Sequence, residues 1–163
     1  MLFRNTIRDD KNAIHHILEA TGVFTHEEVR VALELIDIFL NDPDQTDYII
    51  RSGVGDTDDV VGYYCIGPTP MTLGTYDLYW IAVKPEVHSR GIGRQLLGHA
   101  EQLVALNGGR LLIAETSSQP KYDTTRRFYV TNGYQEVARI KDYYRIDDDL
   151  VIYGKYFPQL GAQ

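Results

Sequence analysis

Apolar residues recur along this chain at two periods, one that suits helices and one that suits strands. Leu2-Phe3-Arg4 begins a short first strand. From Asp10 to Ala20 the apolar residues Ala13, Ile14, Ile17 and Leu18 fall on one helical face, and Gly22 ends the helix. Thr25-His26-Glu27-Glu28 has the form of a capping box: the Thr25 hydroxyl takes an N–H three residues on and Glu28 reaches back. Behind it, apolar residues from Val29 to Leu40 occupy more than one face. This second helix is therefore expected to be well covered, by the sheet or by a partner chain, and to stop near Asn41-Asp42-Pro43.

Residues 47–54 and 60–66 read as two strands joined by the turn-rich, acidic stretch 55–59, hence as an antiparallel pair. Residues 76–83 are nearly all aromatic or β-branched, the pattern of a strand buried on both faces. Residues 91–106 return to helical spacing through Leu96, Leu97, Ala100, Leu103 and Val104, and Asn107-Gly108-Gly109 closes that helix. A strand at 111–114, a helix at 123–132 closed by Gly133, and strands at 135–143 and 150–156 complete the chain. The order predicts one α/β (α+β) domain over residues 1–163, with about seven strands in a mixed, mostly antiparallel sheet and about four flanking helices.

Composition narrows the function. Hydrophobic residues fill 44% of the 163 positions, enough for a core that needs no disulfide staples. The lone Cys65 excludes an internal disulfide framework, and the five histidines show no ligand spacing, so no metal is expected. A net charge of −7 argues against nucleic acid as a partner. No apolar stretch approaches the ~20 residues of a membrane helix. Arg4 and Asp9-Asp10 follow Met1-Leu2-Phe3 too closely for a secretory leader, so the expected compartment is the cytoplasm.

The most informative unit is strand, glycine loop, helix: Asp77-Leu78-Tyr79-Trp80-Ile81-Ala82-Val83, then a loop through Val87-His88-Ser89-Arg90, then Gly91-Ile92-Gly93-Arg94. N–H groups at a helix start lack partners within the helix, and the dipole there favours an anion. Glycine lets a phosphate approach the backbone. A tight strand-to-helix turn without a ligand would use the same residues. Two rival phosphate motifs are absent: Leu96 stands where a dinucleotide fingerprint needs its third glycine, and no Gly-x-x-x-x-Gly-Lys-Ser/Thr occurs.

His88-Ser89-Arg90-Gly91-Ile92-Gly93 resembles the Gln/Arg-x-x-Gly-x-Gly/Ala loop of the GNAT superfamily of N-acetyltransferases, with His88 in place of the usual Gln or Arg. Phe128-Tyr129 ahead of Gly133-Tyr134 is similar to a second family pattern. Tyr122 stands where many members carry Asn. The resemblance implies the GNAT acyl-CoA N-acyltransferase fold and acetyl-CoA as co-substrate, with direct attack by an amine in a ternary complex. It implies a pyrophosphate on the loop from His88 to Arg94, and a pantetheine arm along the backbone of Ile81, Ala82 and Val83. Arg90, Arg94, Lys121 and Arg126 become candidate phosphate or adenine neighbours. Tyr129 becomes a candidate general acid and cofactor neighbour, its alternative being a core aromatic. Asp77, at the position of a catalytic Glu in histone acetyltransferases, and Glu115 are both candidate bases. Phe24 and Glu28 are candidate acceptor contacts, their alternatives being a core Phe and a cap.

The expected activity is acetylation of a primary amine on a small molecule or amino acid. A protein N-terminus or lysine is the alternative acceptor. From another class, the fold could serve as a non-catalytic acyl-CoA-binding regulatory module, and more distantly as a nucleotide-binding module. Cys65, alone in an apolar strand, reads as a small core residue rather than a nucleophile. The apolar second helix would suit a homodimer.

Overall fold

The computed structural model describes residues 1–56 and 58–158. Seven strands form one sheet: β1 (Leu2–Asn5), β2 (Ile49–Val54), β3 (Val60–Pro68), β4 (Thr75–Val83), β5 (Leu111–Ser117), β6 (Gln135–Arg145) and β7 (Asp148–Tyr156), in the order β1-β2-β3-β4-β5-β7-β6. The helices are α1 (Asp10–Ala20), α2 (His26–Asn41), α3 (Ile92–Leu106) and α4 (Asp123–Thr131). Short 3-10 turns at Pro85–Val87 and Pro120–Tyr122 lead into α3 and α4, and the hydrophobic pattern does not predict either turn. Among the described residues, no helix is long and apolar enough to cross a membrane.

The chain divides into two compact units. The first holds Met1–Gly67 and Tyr79–Gln102. Here β1, β2 and β3 pair antiparallel. Ile14, Ile17 and Leu18 of α1 and Val29, Ala32 and Ile36 of α2 pack with Ile50, Tyr63 and Cys65. The capping box of α2 is formed: Glu28 N–H donates to Thr25 Oγ1 at 3.2 Å, and Thr25 N–H donates to Glu28 Oε2 at 2.6 Å. The remaining faces of α2 are less covered than the pattern predicts: Leu33, Leu35, Phe39 and Leu40 are partly buried, and Ile38 is 43% exposed. One helical face suffices to seal the core. Gly62 lets α3 sit down on β3, since a Cβ there would lie 2.7 Å from Leu96 Cδ1 and 2.8 Å from the Ala82 carbonyl oxygen.

The second unit holds Pro68–Leu78 and the chain from Leu103 on. β5 and β7 pair antiparallel from Leu111↔Tyr156 to Ser117↔Leu150, and β6 lies outside β7. β4 and β5 run parallel, and their register ends at Asp77↔Ile113. β5 therefore extends to Ser117, beyond the strand predicted at 111–114, because β7 supplies a ladder for its polar end. β4 also departs from the pattern. It is not buried on both faces: Tyr79 is 36% exposed, and Tyr76, Asp77, Trp80, Ile81 and Val83 are half-buried.

Candidate active site

The glycine loop belongs to the first unit. β4 ends at Val83, the turn Pro85–Val87 follows, and α3 starts at Ile92. Lys84 N–H donates to the Val61 carbonyl at 2.9 Å, which fixes the loop's start to β3. His88 Nε2 lies 2.8 Å from the Val83 carbonyl oxygen. Ser89 and Gly91 both adopt left-handed backbone conformations, φ +63 and +76. At Gly91 this conformation favours glycine, and the space about it is open. The first bond that α3 closes is Gln95 N–H to the Gly91 carbonyl, 3.1 Å. The N–H groups of Ser89, Arg90, Gly91, Ile92, Gly93 and Arg94 have no protein acceptor among the described residues. Arg90 and Arg94 are exposed and form no ion pair among those residues. This is a cationic, donor-rich helix start, suited to an anion. Gly93 lies inside the first turn of α3, so it contributes an N–H rather than a loop bend.

The titratable candidates belong to the second unit, on two faces of its sheet. Asp77 pairs in register with Ile113, which shares a face with Glu115 two residues on. Asp77 Oδ2 accepts a 2.5 Å hydrogen bond from Thr69 Oγ1. Glu115 is exposed by surface area, yet the protein around its carboxyl, and then the Asp77 charge, hold its pKa above the usual range. Tyr129 lies on the other face. Its ring stacks on Tyr153 at 5.9 Å, and Tyr153 is the register partner of Ala114. Phe128 and Tyr134 flank it, and burial pushes its phenol well above the ordinary value.

Other expected contacts are already engaged. The Arg126 guanidinium holds the carbonyls of Ser117 (2.5 Å) and Gln119 (3.0 Å) and pairs with Asp123, so it braces the connection from β5 to α4. Lys121 Nζ lies 4.9 Å from the Tyr122 ring centre. Glu28 spends one carboxylate oxygen on the α2 cap, and Phe24 packs partly buried against the core. Cys65 is buried and its thiol is pushed far above its usual pKa, which makes it a core residue and an inert nucleophile. Among the described residues, no group of three or more His, Cys, Asp or Glu could hold a metal ion.

The sequence pattern does not single out the partners that set this face of the second unit. Thr69 reaches Asp77 from the loop before β4. Asp148 is buried and accepts from Ser117 Oγ (2.5 Å) and Gln119 Nε2 (2.9 Å). Tyr144 of β6 is near enough to Glu115 for the carboxylate to act on its phenol. Asp148 and Asp149 open β7, two residues before the strand expected at 150–156, and their ties to β5 and β6 arise only from the fold.

A family model described as an acetyltransferase (GNAT) domain matches residues 47–136. Among solved structures, a protein from Desulfovibrio desulfuricans assigned to the GNAT family of acetyltransferases is 46% identical, with a TM-score of 0.91 over 95% of this chain and 98% of that one. An aminoglycoside 6'-N-acetyltransferase complexed with coenzyme A has a TM-score of 0.76 at 18% identity, covering 99% of this chain and 100% of its own. The ribosomal-protein-S18-alanine N-acetyltransferase from Escherichia coli also gives 0.76 at 18%, over 99% and 97%. At 18% identity, the likeness is one of fold. No curated protein matches the chain in sequence. The loop, the sheet order, a family model spanning more than half of the chain and the 46% identical relative agree, and the chain belongs to the GNAT family of acetyltransferases.

Proposed function

We propose that this enzyme transfers an acetyl group from acetyl-CoA to a primary amine of a small molecule or amino acid, by direct attack in a ternary complex, with residues 1–163 working as one catalytic domain. The observation that carries this reading is the run of six unengaged N–H groups from Ser89 to Arg94. A pyrophosphate is the ligand that matches such a run. Arg90 and Arg94 add positive charge, and the backbone of Ile81, Ala82 and Val83 is assigned to the pantetheine arm. Acetyl-CoA supplies the thioester: a C–N bond forms, the C–S bond breaks, and one proton leaves the amine as one reaches sulfur.

The proton roles follow from the two faces of β5. Glu115 takes the amine proton, its carboxylate made more basic by burial and then by the charge of Asp77. Tyr129, on the opposite face, stays protonated at neutral pH. Its phenol is a weaker acid than a thiol of pKa ~8.5, so it stabilises the departing sulfur chiefly as a hydrogen-bond donor. A base for the attacking amine and a donor for the departing sulfur suit addition of the amine to the thioester carbonyl and collapse of the tetrahedral intermediate with loss of the thiolate.

Two measurements test this. Acetyl-CoA should raise the melting temperature, and a panel of amines should show one class that releases free CoA thiol. Absence of both effects would overturn the proposal. Thermal stabilisation without turnover on any amine would favour the non-catalytic binding module.

A further inference from the structure

The corner where β5 gives way to α4 is gripped from two sides by opposite charges. β5 ends at Ser117, the turn Pro120–Tyr122 follows, and α4 begins at Asp123. The Arg126 guanidinium donates to the carbonyl oxygens of Ser117 and Gln119, at 2.5 and 3.0 Å, and pairs with Asp123. The Asp148 carboxylate accepts from the Ser117 hydroxyl at 2.5 Å and from Gln119 Nε2 at 2.9 Å. The Ser117 hydroxyl oxygen also takes the Gln119 N–H, at 3.1 Å. Arg126 therefore holds the backbone of Ser117 and Gln119, and Asp148 holds their side chains. Both charges are largely withdrawn from water: the Arg126 side chain is 17% exposed, and Asp148 is buried, with Arg145 Nε at 3.6 Å as its counter-charge.

Arg126 stands where the helix itself disfavours it. It is the fourth residue of α4, at the close of the first turn, and a cation there opposes the helix dipole. α4 also has no side-chain cap at its start. Two ties to β5 set its direction instead. Tyr129 stacks on Tyr153, the register partner of Ala114. Arg126, three residues before Tyr129, holds Ser117, three residues beyond Ala114. The two ties lie about 10 Å apart along the strand and about 4.5 Å apart along the helix. Two such points fix how the helix lies on the strand, and Glu115 sits on β5 between the two tied residues.

We propose that Arg126 and Asp148 are positioning residues for the chemical step: by clamping Ser117 and Gln119 they fix α4 on β5, and with it the Tyr129 phenol relative to the Glu115 carboxylate. The proposal rests on the reading of Glu115 and Tyr129 as base and donor. It gives Arg126 a role other than the phosphate contact that the family resemblance implies.

The test joins steady-state kinetics, with the amine that wild type turns over, to calorimetric titration of acetyl-CoA. The variants are Arg126→Met, Arg126→Lys, Asp148→Ala and the double variant Arg126→Met with Asp148→Ala. A misplacement of about 1 Å costs about a hundredfold in rate. Arg126→Met should therefore lower kcat about ten- to a hundredfold, while the acetyl-CoA Kd stays within about twofold of wild type. Arg126→Lys, whose ammonium still donates to a carbonyl, should recover part of that loss. Asp148→Ala should lower kcat to a similar extent. The double variant should lose little more than the larger single loss, because the corner needs both grips. A raised Kd at unchanged kcat in Arg126→Met would make Arg126 a phosphate ligand and overturn the proposal. Single losses that multiply in the double variant would overturn it too. If Arg126→Met does not fold, Asp148→Asn, which keeps a carbonyl oxygen for one of the two donors, reads the same split between kcat and Kd. Unchanged kcat in both Glu115→Gln and Tyr129→Phe, beside a lowered kcat in Arg126→Met, would remove the proton roles and leave the clamp's effect on the chemical step standing. The converse would keep the proton roles and overturn the clamp.

Discussion

His88 Nε2 lies 2.8 Å from the carbonyl oxygen of Val83. A carbonyl only accepts, so Nε2 carries the proton and the Nε2–H donates. The bond closes a five-residue span from the end of β4 to the residue before Ser89, whose left-handed backbone starts the donor run. His88 is where this chain departs from the family's usual Gln or Arg, and the structure gives it a brace for the loop. His88→Ala should weaken acetyl-CoA binding about two- to tenfold, the worth of one hydrogen bond. His88→Gln, with an amide donor, should retain most of the affinity. Calorimetric titration decides, and equal Kd values for His88→Ala and wild type would show that the loop holds itself.

Glu115 gives a pH prediction with a definite sign. Its carboxyl is held above the ordinary glutamate value of ~4.3 by the surrounding protein and, secondarily, by Asp77. If Glu115 is the base proposed above, it works only when ionised, so kcat/KM for the acceptor should fall on the acid side through a pKa above ~4.3. Asp77→Asn removes one negative charge and should move that limb to lower pH. On kcat/KM the limb reports the free enzyme and the free amine, whose ionisation does not depend on Asp77, so the shift isolates the carboxylate pair. Glu115→Gln should lose about a hundredfold or more in kcat. A limb that stays in place in Asp77→Asn would dissociate the two groups.

What could be read from the sequence was local. The Thr25–Glu28 capping box forms as written, and α1 spans the residues its apolar face marks. The glycine loop was legible because it needs only a strand, a turn and a helix start. What depended on distant residues was not. Glu115-Thr116-Ser117 is polar and reads as a strand end, yet Ile152, Val151 and Leu150 of β7 hold it extended. Tyr129 and Glu115 were both candidates, but that they face opposite ways follows only from the register of Ala114 with Tyr153. Arg126 looked like a phosphate ligand because its bonds to the carbonyls of Ser117 and Gln119 are created by the fold. The bulge before Arg145 depends on Asp149, whose role no pattern within β6 reveals.

Asp10 predicts an acid-sensitive contribution to stability. Its carboxylate is buried, which alone would raise its pKa, but Arg4 at 2.5 and 2.8 Å, the Ile7 N–H and the Ser52 hydroxyl outweigh burial and lower it. With the folded pKa below the unfolded ~3.9, the stabilisation is complete above ~3.9 and is lost as pH falls through the folded value. Asp10→Asn should cost about 2–3 kcal/mol at pH 7, below the 3–5 of a fully buried pair because Arg4 keeps some solvent contact. In urea titrations, the gap between wild type and Asp10→Asn should narrow below about pH 4. A gap constant down to pH 3 would show that charge is not its source.

Tyr63 and Tyr64, adjacent on β3, make opposite predictions. Tyr64 Oη lies 2.7 Å from His99 Nδ1, and His99 stacks on Phe3 at 4.3 Å. Burial raises the Tyr64 phenol and lowers the His99 imidazolium, so both are neutral and share one satisfied hydrogen bond between the hydroxyl and Nδ1. Tyr63 points to the other face, into the core beside Cys65, and its hydroxyl has no protein partner among the described residues. A buried hydroxyl without a partner costs about 1–3 kcal/mol, whereas a satisfied one contributes about 1. Tyr63→Phe should therefore leave the unfolding free energy unchanged or raise it by up to about 1 kcal/mol, while Tyr64→Phe should lower it by about 1. Equilibrium urea unfolding of the two variants side by side gives the comparison. An equal loss in both would mean that the Tyr63 hydroxyl is bonded in solution, and a gain in Tyr63→Phe would establish that this oxygen is a cost that the β3 core carries.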